Sequence, residues 1–420
     1  MKILVIGTGG REHALALALS REGHAVHAAP GNPGIGEFGT LHEVDPMDGH
    51  AVAALATTLG AELVVVGPEA PLVAGVADAV REAGIAVFGP SRAAAQLEGS
   101  KAFSKDVMAA AGVPTARALV ATSSAEAAEA LDELGAPYVV KDDALAAGKG
   151  VVVTNDRAEA LAHAEACGRV VIEEFLAGPE VSLFCVCDGE RAYPLQPAQD
   201  FKRIFDGGQG GNTGGMGSYS PLTWAQSDLA AVVIEQVVEP TLAEMARRGA
   251  PFVGCLYVGL ALTEAGPRVI EFNVRFGDPD IQPVLALVTS SLSELLLAAA
   301  TGTLAEVSAP TFAPEASVTV VLASRGYPES SSKGDLITGT AAAQTHDGVD
   351  VIHAGTALDG DGRLVTAGGR VLAVRAVGSS VADARARAYA AADEIAFDGL
   401  QRRSDIAAEP LGVVEGASFL

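Results

Sequence analysis

Lysine and cysteine are scarce in this 420-residue chain, and long apolar runs are missing. The four cysteines, Cys167, Cys185, Cys187 and Cys255, form no CxxC pair and stand beside no histidine-rich spacing. That excludes a disulfide framework and argues against a zinc site, leaving buried thiols of a reducing compartment. No uncharged apolar run approaches the roughly 18 residues of a membrane span, and the start, MKILVIGTGG, passes from a strand into glycines without a cleavage site, so a cytoplasmic protein is expected. Basic residues are few: 28 Lys and Arg against 52 Asp and Glu give a net charge of −24. Such a balance disfavours a nucleic-acid groove or an anionic membrane as partner. Only seven residues are lysine, and five of them (Lys101, Lys105, Lys141, Lys149, Lys202) lie between positions 101 and 202. An anionic ligand is expected near that stretch.

What is present is a globular α/β composition, 49% hydrophobic with 48 glycines, on a chain long enough for two to four domains. The apolar runs at 3–6, 25–29, 63–66 and 85–88 end at Gly or Pro and alternate with Ala/Leu-rich helical stretches. That pattern predicts a parallel, doubly wound sheet with ligands at the carboxyl ends of its strands. After Ser100 a helix over 101–111 precedes strands at 137–141 and 150–154, a helix near 156–166, and strands at 169–176, 180–188 and 192–198. A Gly-rich segment (207–218) then leads to a long helix at 225–247, a strand pair at 252–263 and 268–276, and a helix at 281–300. The strands here read as mostly antiparallel, an α+β arrangement. Residues 311–420 form a third unit, with strands near 317–323 and 370–377 and a helix near 381–396.

Four places carry chemistry. Gly7-Thr8-Gly9-Gly10 after the first strand allows close approach of a phosphate to a helix N-terminus, or simply a tight packed turn. It is not a dinucleotide fingerprint, because Glu12 takes the third glycine position and no acid ends strand two. Lys141 and Lys149 flank a glycine-bearing loop between two strands, which suits a triphosphate or a solvated hairpin tip. Glu271 and Asn273 share one strand face with Arg275, as hard oxygen ligands for Mg²⁺ or as polar residues of an edge strand. Glu173, Glu174 and Glu180 offer acids for ribose hydroxyls, or an exposed acidic face.

In this order the pieces resemble an ATP-grasp ligase, and more closely the glycinamide ribonucleotide synthetase (phosphoribosylamine–glycine ligase) family. The likeness runs through GGREHALA (9–16), PGNPG (30–34), VGPEAPL (66–72), FGPS (88–91), LEGSKAF (97–103), AAGKGV (146–151), VIEEFL (171–176), NTGGMGSYSP (212–221), IEFNVRFGDP (270–279), HAGT (353–356) and GGRVL (368–372). It implies an α/β and α+β multidomain fold: a Rossmann-like pre-ATP-grasp domain over 1–100, an ATP-grasp domain over 101–310 with a mobile lid at about 119–178, and a C-terminal α+β domain over 311–420. It also implies the reaction of ATP, glycine and 5-phosphoribosylamine to glycinamide ribonucleotide, ADP and phosphate through a glycyl phosphate, in purine biosynthesis. The partners would be small molecules, and the protein a monomer or small homo-oligomer.

Residue by residue, the resemblance puts Lys101 and Lys141 on the ATP phosphates and Lys149, between Gly148 and Gly150, in a closing loop. Glu174 and Leu176 would frame the adenine with Glu173 beside them, and Glu180 would meet the ribose. Glu271 and Asn273 would hold Mg²⁺ or Mn²⁺, and Arg275 would stabilise the acyl phosphate. Gly7, Gly9, Gly10, Glu69, Asp200, Lys202, Asn212, Thr213, Gly214, Gly215 and Asp278 would receive glycine and phosphoribosylamine. The chain departs from the usual family pattern at Thr8, Asp142, Ala144, Phe201, Gly211 and Asp280, and the segment between Val153 and Arg169 is short. A glycine replaced by Ala144 would cost about 1 kcal/mol if positive φ were needed there. Two further readings are a carboxylase-type ATP-grasp enzyme using bicarbonate and a paralogue that binds ATP without turnover.

Overall fold

Strand Lys2–Gly7 is buried from Ile3 onward, and so are its neighbours, which is why its sequence is apolar without alternation. In the computed structural model, which describes residues 1–145 and 150–408, this strand is the centre of a five-stranded parallel sheet. The order is Thr40–Leu41, Ala25–Pro30, Lys2–Gly7, Leu63–Val66, Ala86–Phe88. Helices Gly10–Arg21, Gly49–Leu59 and Val76–Glu82 pack around it, as the doubly wound reading expects.

Residues 118–173 build a separate four-stranded antiparallel sheet, ordered Ala118–Ala121, Val170–Glu173, Tyr138–Asp142, Val151–Thr154. Helices Ser124–Leu134 and Arg157–Cys167 cover it, and its core is its own: Ala121, Ala127, Leu131, Val140, Ala164 and Ile172 cluster apart from the two larger cores. The strand expected over 169–176 ends at Glu173, where its last partners, Ala118 and Val139, run out.

The body of the middle region is an antiparallel sheet ordered Ala192–Pro194, Glu180–Asp188, Val253–Thr263, Gly266–Asn273. A bulge interrupts the last pair: Gly259 faces Glu271 while Leu260 faces Val269, so Ile270 is the extra residue. The helix expected over 225–247 is three pieces, Leu229–Val233, a π-turn Ile234–Val238 and Glu239–Arg247. Pro240 has no N–H to continue the ladder, and the wider turn precedes it. The helix expected over 281–300 is two, Ile281–Leu287 and Leu292–Thr301, because Val288 turns extended to bridge Phe312 and Ser291 caps a new start.

A third antiparallel sheet is ordered Gln199–Asp200, Gly217–Ser220, Ala316–Ala323, Arg370–Gly378, Val349–His353. Its first two strands flank the Gly-rich segment in the middle of the chain, so that region is stitched directly onto the C-terminal strands. Helix Val381–Ala392 covers this sheet. Cys185, Cys187 and Cys255 are buried and free, and Cys167 is half-buried. Among the described residues no helix is long and apolar enough to cross a membrane.

Candidate active site

Ile270 is the extra residue of the bulge, and the Lys141 Nζ donates to its carbonyl at 2.8 Å. Lys141 is 5% exposed, and its second partner is the Glu173 carboxylate at 3.0 Å. The other Glu173 oxygen accepts from Lys105 at 3.2 Å. Glu173, expected beside the nucleotide, is therefore turned inward as the shared counter-ion of two lysines. Lys105 has no role in the family motifs, but it becomes part of this buried trio. Burial lowers its ammonium to about 8 even though Glu173 pulls the other way, with Lys141 also lowering it.

Glu174, one residue on, points the other way. Its carboxylate accepts from the Arg117 N–H at 2.9 Å and from Arg268 at 3.0 Å, bracing the exit from the 118–173 unit. Leu176 lies half-buried in the unpaired stretch that follows. Glu180 begins the next strand and accepts from Lys202 at 2.8 Å. Glu180, Ser182, Asp200, Lys202, Tyr257 and Glu271 line one cleft.

Glu271 is the focus of the charge. Burial pushes its carboxyl up, yet Lys202, Lys141 and Lys101 together hold it below its ordinary value, with Asn273 hydrogen-bonded to it. Lys101 opens helix Lys101–Ala111, which Ser100 caps, and its Nζ donates to the Ala144 carbonyl at 3.2 Å. Three lysines that are far apart in sequence thus converge on the Glu271–Asn273 strand. The strand does lie at the edge of its sheet, but Asn273 is only 8% exposed, so the edge is covered rather than solvated. A carboxylate and an amide side by side are hard oxygen donors, and among the described residues no cluster of three or more His, Cys, Asp or Glu could hold a metal. The donor set fits Mg²⁺ or Mn²⁺ that takes its remaining ligands from phosphates and water.

Arg275, next on that face, is clamped by Glu69 at 3.2 Å and Glu98 at 3.0 Å, and reaches the Asn273 Oδ1 at 3.4 Å. Burial raises the Glu69 carboxyl, but Arg275 and Arg11 outweigh it and hold it low; burial prevails at Glu98 and pushes it up. Glu98 lies inside the LEGSKAF motif and also accepts from the Val274 N–H at 2.8 Å. Its role is invisible without the fold, since its partners are about 175 residues away.

The first glycine loop has a different occupant from the one its sequence suggests. The Glu12 carboxylate folds back to accept from the Gly9 N–H at 2.6 Å and pairs with Arg11 at 2.5 Å. A Cβ at Gly7 would lie 2.7 Å from Glu12 and one at Gly9 2.9 Å from it, so these glycines, with Gly67, cradle Glu12. Gly10 instead makes room for Asp278 and Gln282. Thr213 ties its loop to the Lys202 carbonyl at 2.8 Å, while Asn212 pairs with Arg203 across a short hairpin.

Three of the family departures, Ala144, Phe201 and Asp280, find local explanations. Ala407 is the only non-glycine with positive φ among the described residues, so Ala144 carries no such strain. Its neighbour Asp143, which keeps the family's residue, accepts from the Ala102 N–H at 2.9 Å and from Arg169 at 2.6 Å, steadying the helix that carries Lys101. Phe201 is buried against Tyr219 and under the Arg403 guanidinium. Asp280 accepts from the Ser182 hydroxyl at 2.7 Å and from Tyr257 at 3.3 Å. Gly148 and Lys149 lie outside the described residues.

The fold and the matched middle region define an ATP-grasp enzyme. The model of the phosphoribosylglycinamide synthetase ATP-grasp (A) domain matches residues 99–281, and the biotin carboxylase domain of Hydrogenobacter thermophilus 2-oxoglutarate carboxylase shares the fold with a TM-score of 0.74 at 18% identity, over 96% of this chain and 91% of that one. The N and C domain models of the same synthetase match residues 1–98 and 317–409. The chain belongs to the phosphoribosylglycinamide synthetase (phosphoribosylamine–glycine ligase) family. It is 62% identical to the phosphoribosylamine–glycine ligase of Streptomyces coelicolor, over 98% of this chain and 100% of that one. It is 57% identical to that of Leifsonia xyli, over 97% and 100%. The crystal structure of the Thermotoga maritima phosphoribosylamine–glycine ligase matches with a TM-score of 0.84 at 34% identity, covering 97% of this chain and 100% of that one.

Proposed function

We propose that this chain is an ADP-forming ligase that joins glycine to 5-phosphoribosylamine at the expense of ATP, a step of purine biosynthesis, in the cytoplasm. The observation that carries the reading is the convergence of Lys101, Lys141 and Lys202 on the Glu271–Asn273 strand, in a chain whose relatives bear that name over their whole length. The domain limits we favour are 1–100, 101–310 and 311–420, with residues 119–178 as the moving part; a separate small core supports its motion as a body.

In this reading the lysines hold the triphosphate, and Glu173 fixes the direction of Lys141. Glu271 and Asn273 hold the Mg²⁺ or Mn²⁺, which supplies Lewis acidity and charge neutralisation at the phosphates. Arg275, immobilised by Glu69 and Glu98, faces the glycine carboxylate as it takes the γ-phosphoryl group. The phosphoribosylamine nitrogen then attacks the acyl phosphate and releases phosphate. Nothing covalent is asked of the protein, and the three most buried thiols are held protonated by burial; the work is positioning and charge.

The test is ADP release with Mg-ATP, glycine and freshly generated 5-phosphoribosylamine. Release that needs both amine substrates supports the ligase. Release that needs bicarbonate instead identifies a carboxylase, and ATP bound without release identifies a paralogue that has lost turnover.

A further inference from the structure

Three parts of the chain that are remote in sequence meet at the Gly214 peptide. Its N–H donates to the Tyr327 hydroxyl at 2.9 Å, and its carbonyl accepts from the Arg370 Nη1 at 2.5 Å. The same Arg370 nitrogen also donates to the Asp278 carbonyl, and Nη2 reaches the Asp278 carboxylate at 3.3 Å. The other carboxylate oxygen accepts from Gln282 at 2.8 Å. Gln282 is 1% exposed, and its own amide oxygen has no partner. Asp278 in turn faces the first glycine loop: a Cβ on Gly10 would lie 3.1 Å from its Oδ1, and one on Gly9 3.5 Å from its Oδ2.

We propose that Arg370 and Tyr327, both from the C-terminal part of the chain, are positioning residues for the amine-bearing substrates, clamping the Gly214 peptide and holding Asp278 against the Gly9–Gly10 loop. The proposal rests on the ligase reading and deepens it. Gly369, which precedes Arg370, and Gly214 itself belong to the same device. Gly369 has no room for a Cβ against the Tyr327 ring, and a Cβ on Gly214 would meet the Arg370 guanidinium carbon at 2.8 Å. A carboxylate fixed on one side by Arg370 and Gln282 accepts from an ammonium, amine or hydroxyl donor on the other. Glycine and phosphoribosylamine both offer such donors, whereas the lysine-lined cleft suits the phosphates. The C-terminal part thereby acts on the amine half of the reaction and not on the nucleotide half.

Steady-state ADP release by the full chain tests this, with ATP, glycine and fresh phosphoribosylamine varied in turn for wild type, Tyr327→Phe, Arg370→Lys and Arg370→Ala. Arg370→Ala raises the KM of glycine or phosphoribosylamine by about tenfold or more, with the KM of ATP within about twofold. Whichever KM rises identifies the substrate that Asp278 meets. Tyr327→Phe, which removes one oxygen, moves the same KM less. Arg370→Lys does not rescue, because one ammonium cannot span acceptors placed for a guanidinium fork. Unchanged amine-substrate KM values, or an ATP KM that rises in step, overturn the proposal. Hydrogen exchange separates this from the ligase reading. Amides of 212–217 exchange about tenfold faster in Arg370→Ala while those of 138–142 do not change, whether or not the wild type turns over. Equal exchange in both segments refutes the clamp, and absent wild-type turnover refutes the ligase.

Discussion

Replacing Glu173 by Gln removes the negative charge shared by two buried lysines and changes little else. Glu173 is 3% exposed, Lys141 5% and Lys105 12%, so neither ammonium reaches bulk water in compensation. Removing one partner of a buried ion pair costs about 3–5 kcal/mol, because the remaining charge keeps its desolvation penalty. The cost falls on the 118–173 unit, whose small, largely alanine core has little stability to spare. About 3 kcal/mol is roughly a hundredfold in local opening, so the amides of 138–142 and 170–173 should exchange about a hundredfold faster at pH 7. The sign with pH is fixed by Lys105. Its folded value, about 8, lies below the ordinary 10.5, so the cost of burying its charge is full below pH 8 and is relieved as pH rises from 8 to 10.5. Glu173→Gln lowers that value further, so the exchange defect shrinks between pH 7 and 9. Adding Lys105→Met removes one orphaned cation and recovers a large part of the protection. If Glu173→Gln leaves exchange within about threefold of wild type and the KM of ATP unchanged, the trio is not what orients Lys141.

Because Glu271 is the proposed metal ligand and even an outer-shell partner is worth about 10–100-fold, Glu271→Ala should lower turnover at least a hundredfold, with an unaltered circular dichroism spectrum. Near-normal ADP release would remove Glu271 from the metal site. Burial lowers His13, with help from the neighbouring His353 and Arg375, to about 3, and burial lowers His353 to about 4. Both lie below the ordinary 6.5, so the fold favours the neutral rings: their contribution is full above pH 6.5 and falls by about 2 kcal/mol each between pH 6.5 and 5. A melting temperature that stays flat from pH 7 to 5 would contradict this. Gly67→Ala drives a methyl group into the Glu12 carboxylate and should lower stability by about 1–3 kcal/mol through overpacking, read as a drop in thermal midpoint. Unchanged melting would mean that Glu12 is free to leave its cradle.

Strands with apolar residues on both faces were legible because burial on both sides leaves a continuous run, as in 63–66. The short strands 349–353, 356–358 and 364–366 were not, since each is three to five residues long between Gly and Asp turns. Of the two broken helices, one fails at Val288, whose effect depends on its distant partner Phe312, while the other breaks before Pro240 for a local reason. At the site, scarcity made the lysines readable: five of seven fall in one stretch, against a background that uses Arg. The acids behind them were not readable. Glu173 and Glu174 are adjacent, so alternation sends one inward to lysines and the other outward to arginines. Arg370 and Tyr327 act on Gly214 from 156 and 113 residues away, a distance no local pattern carries.

The arrangement of those acids changes what the lysine cluster means. Of the cations in the described part of the site, Lys105 and Lys141 share Glu173, Lys202 rests on Glu180, and Arg275 lies between Glu69 and Glu98. Lys101 is held by the Ala144 carbonyl instead. With Asp200 and Glu271 added from the same cleft, five cations face six carboxylates. The site is thus not a free cationic hole, and its lysines are oriented before any ligand arrives, which lowers the ordering cost of binding. A triphosphate brings several more negative charges into a cleft already close to neutral. Attraction between lysines and phosphates alone would leave Glu271 repelling the nearest phosphate oxygens at short range, with little solvent to screen it. The divalent cation proposed for Glu271 and Asn273 would reverse that term, turning the one carboxylate at the focus of the lysines from an obstacle into an anchor. The same logic explains how a protein of net charge −24 accommodates a polyanion: the negative charge is arranged behind the cations, where it fixes their direction.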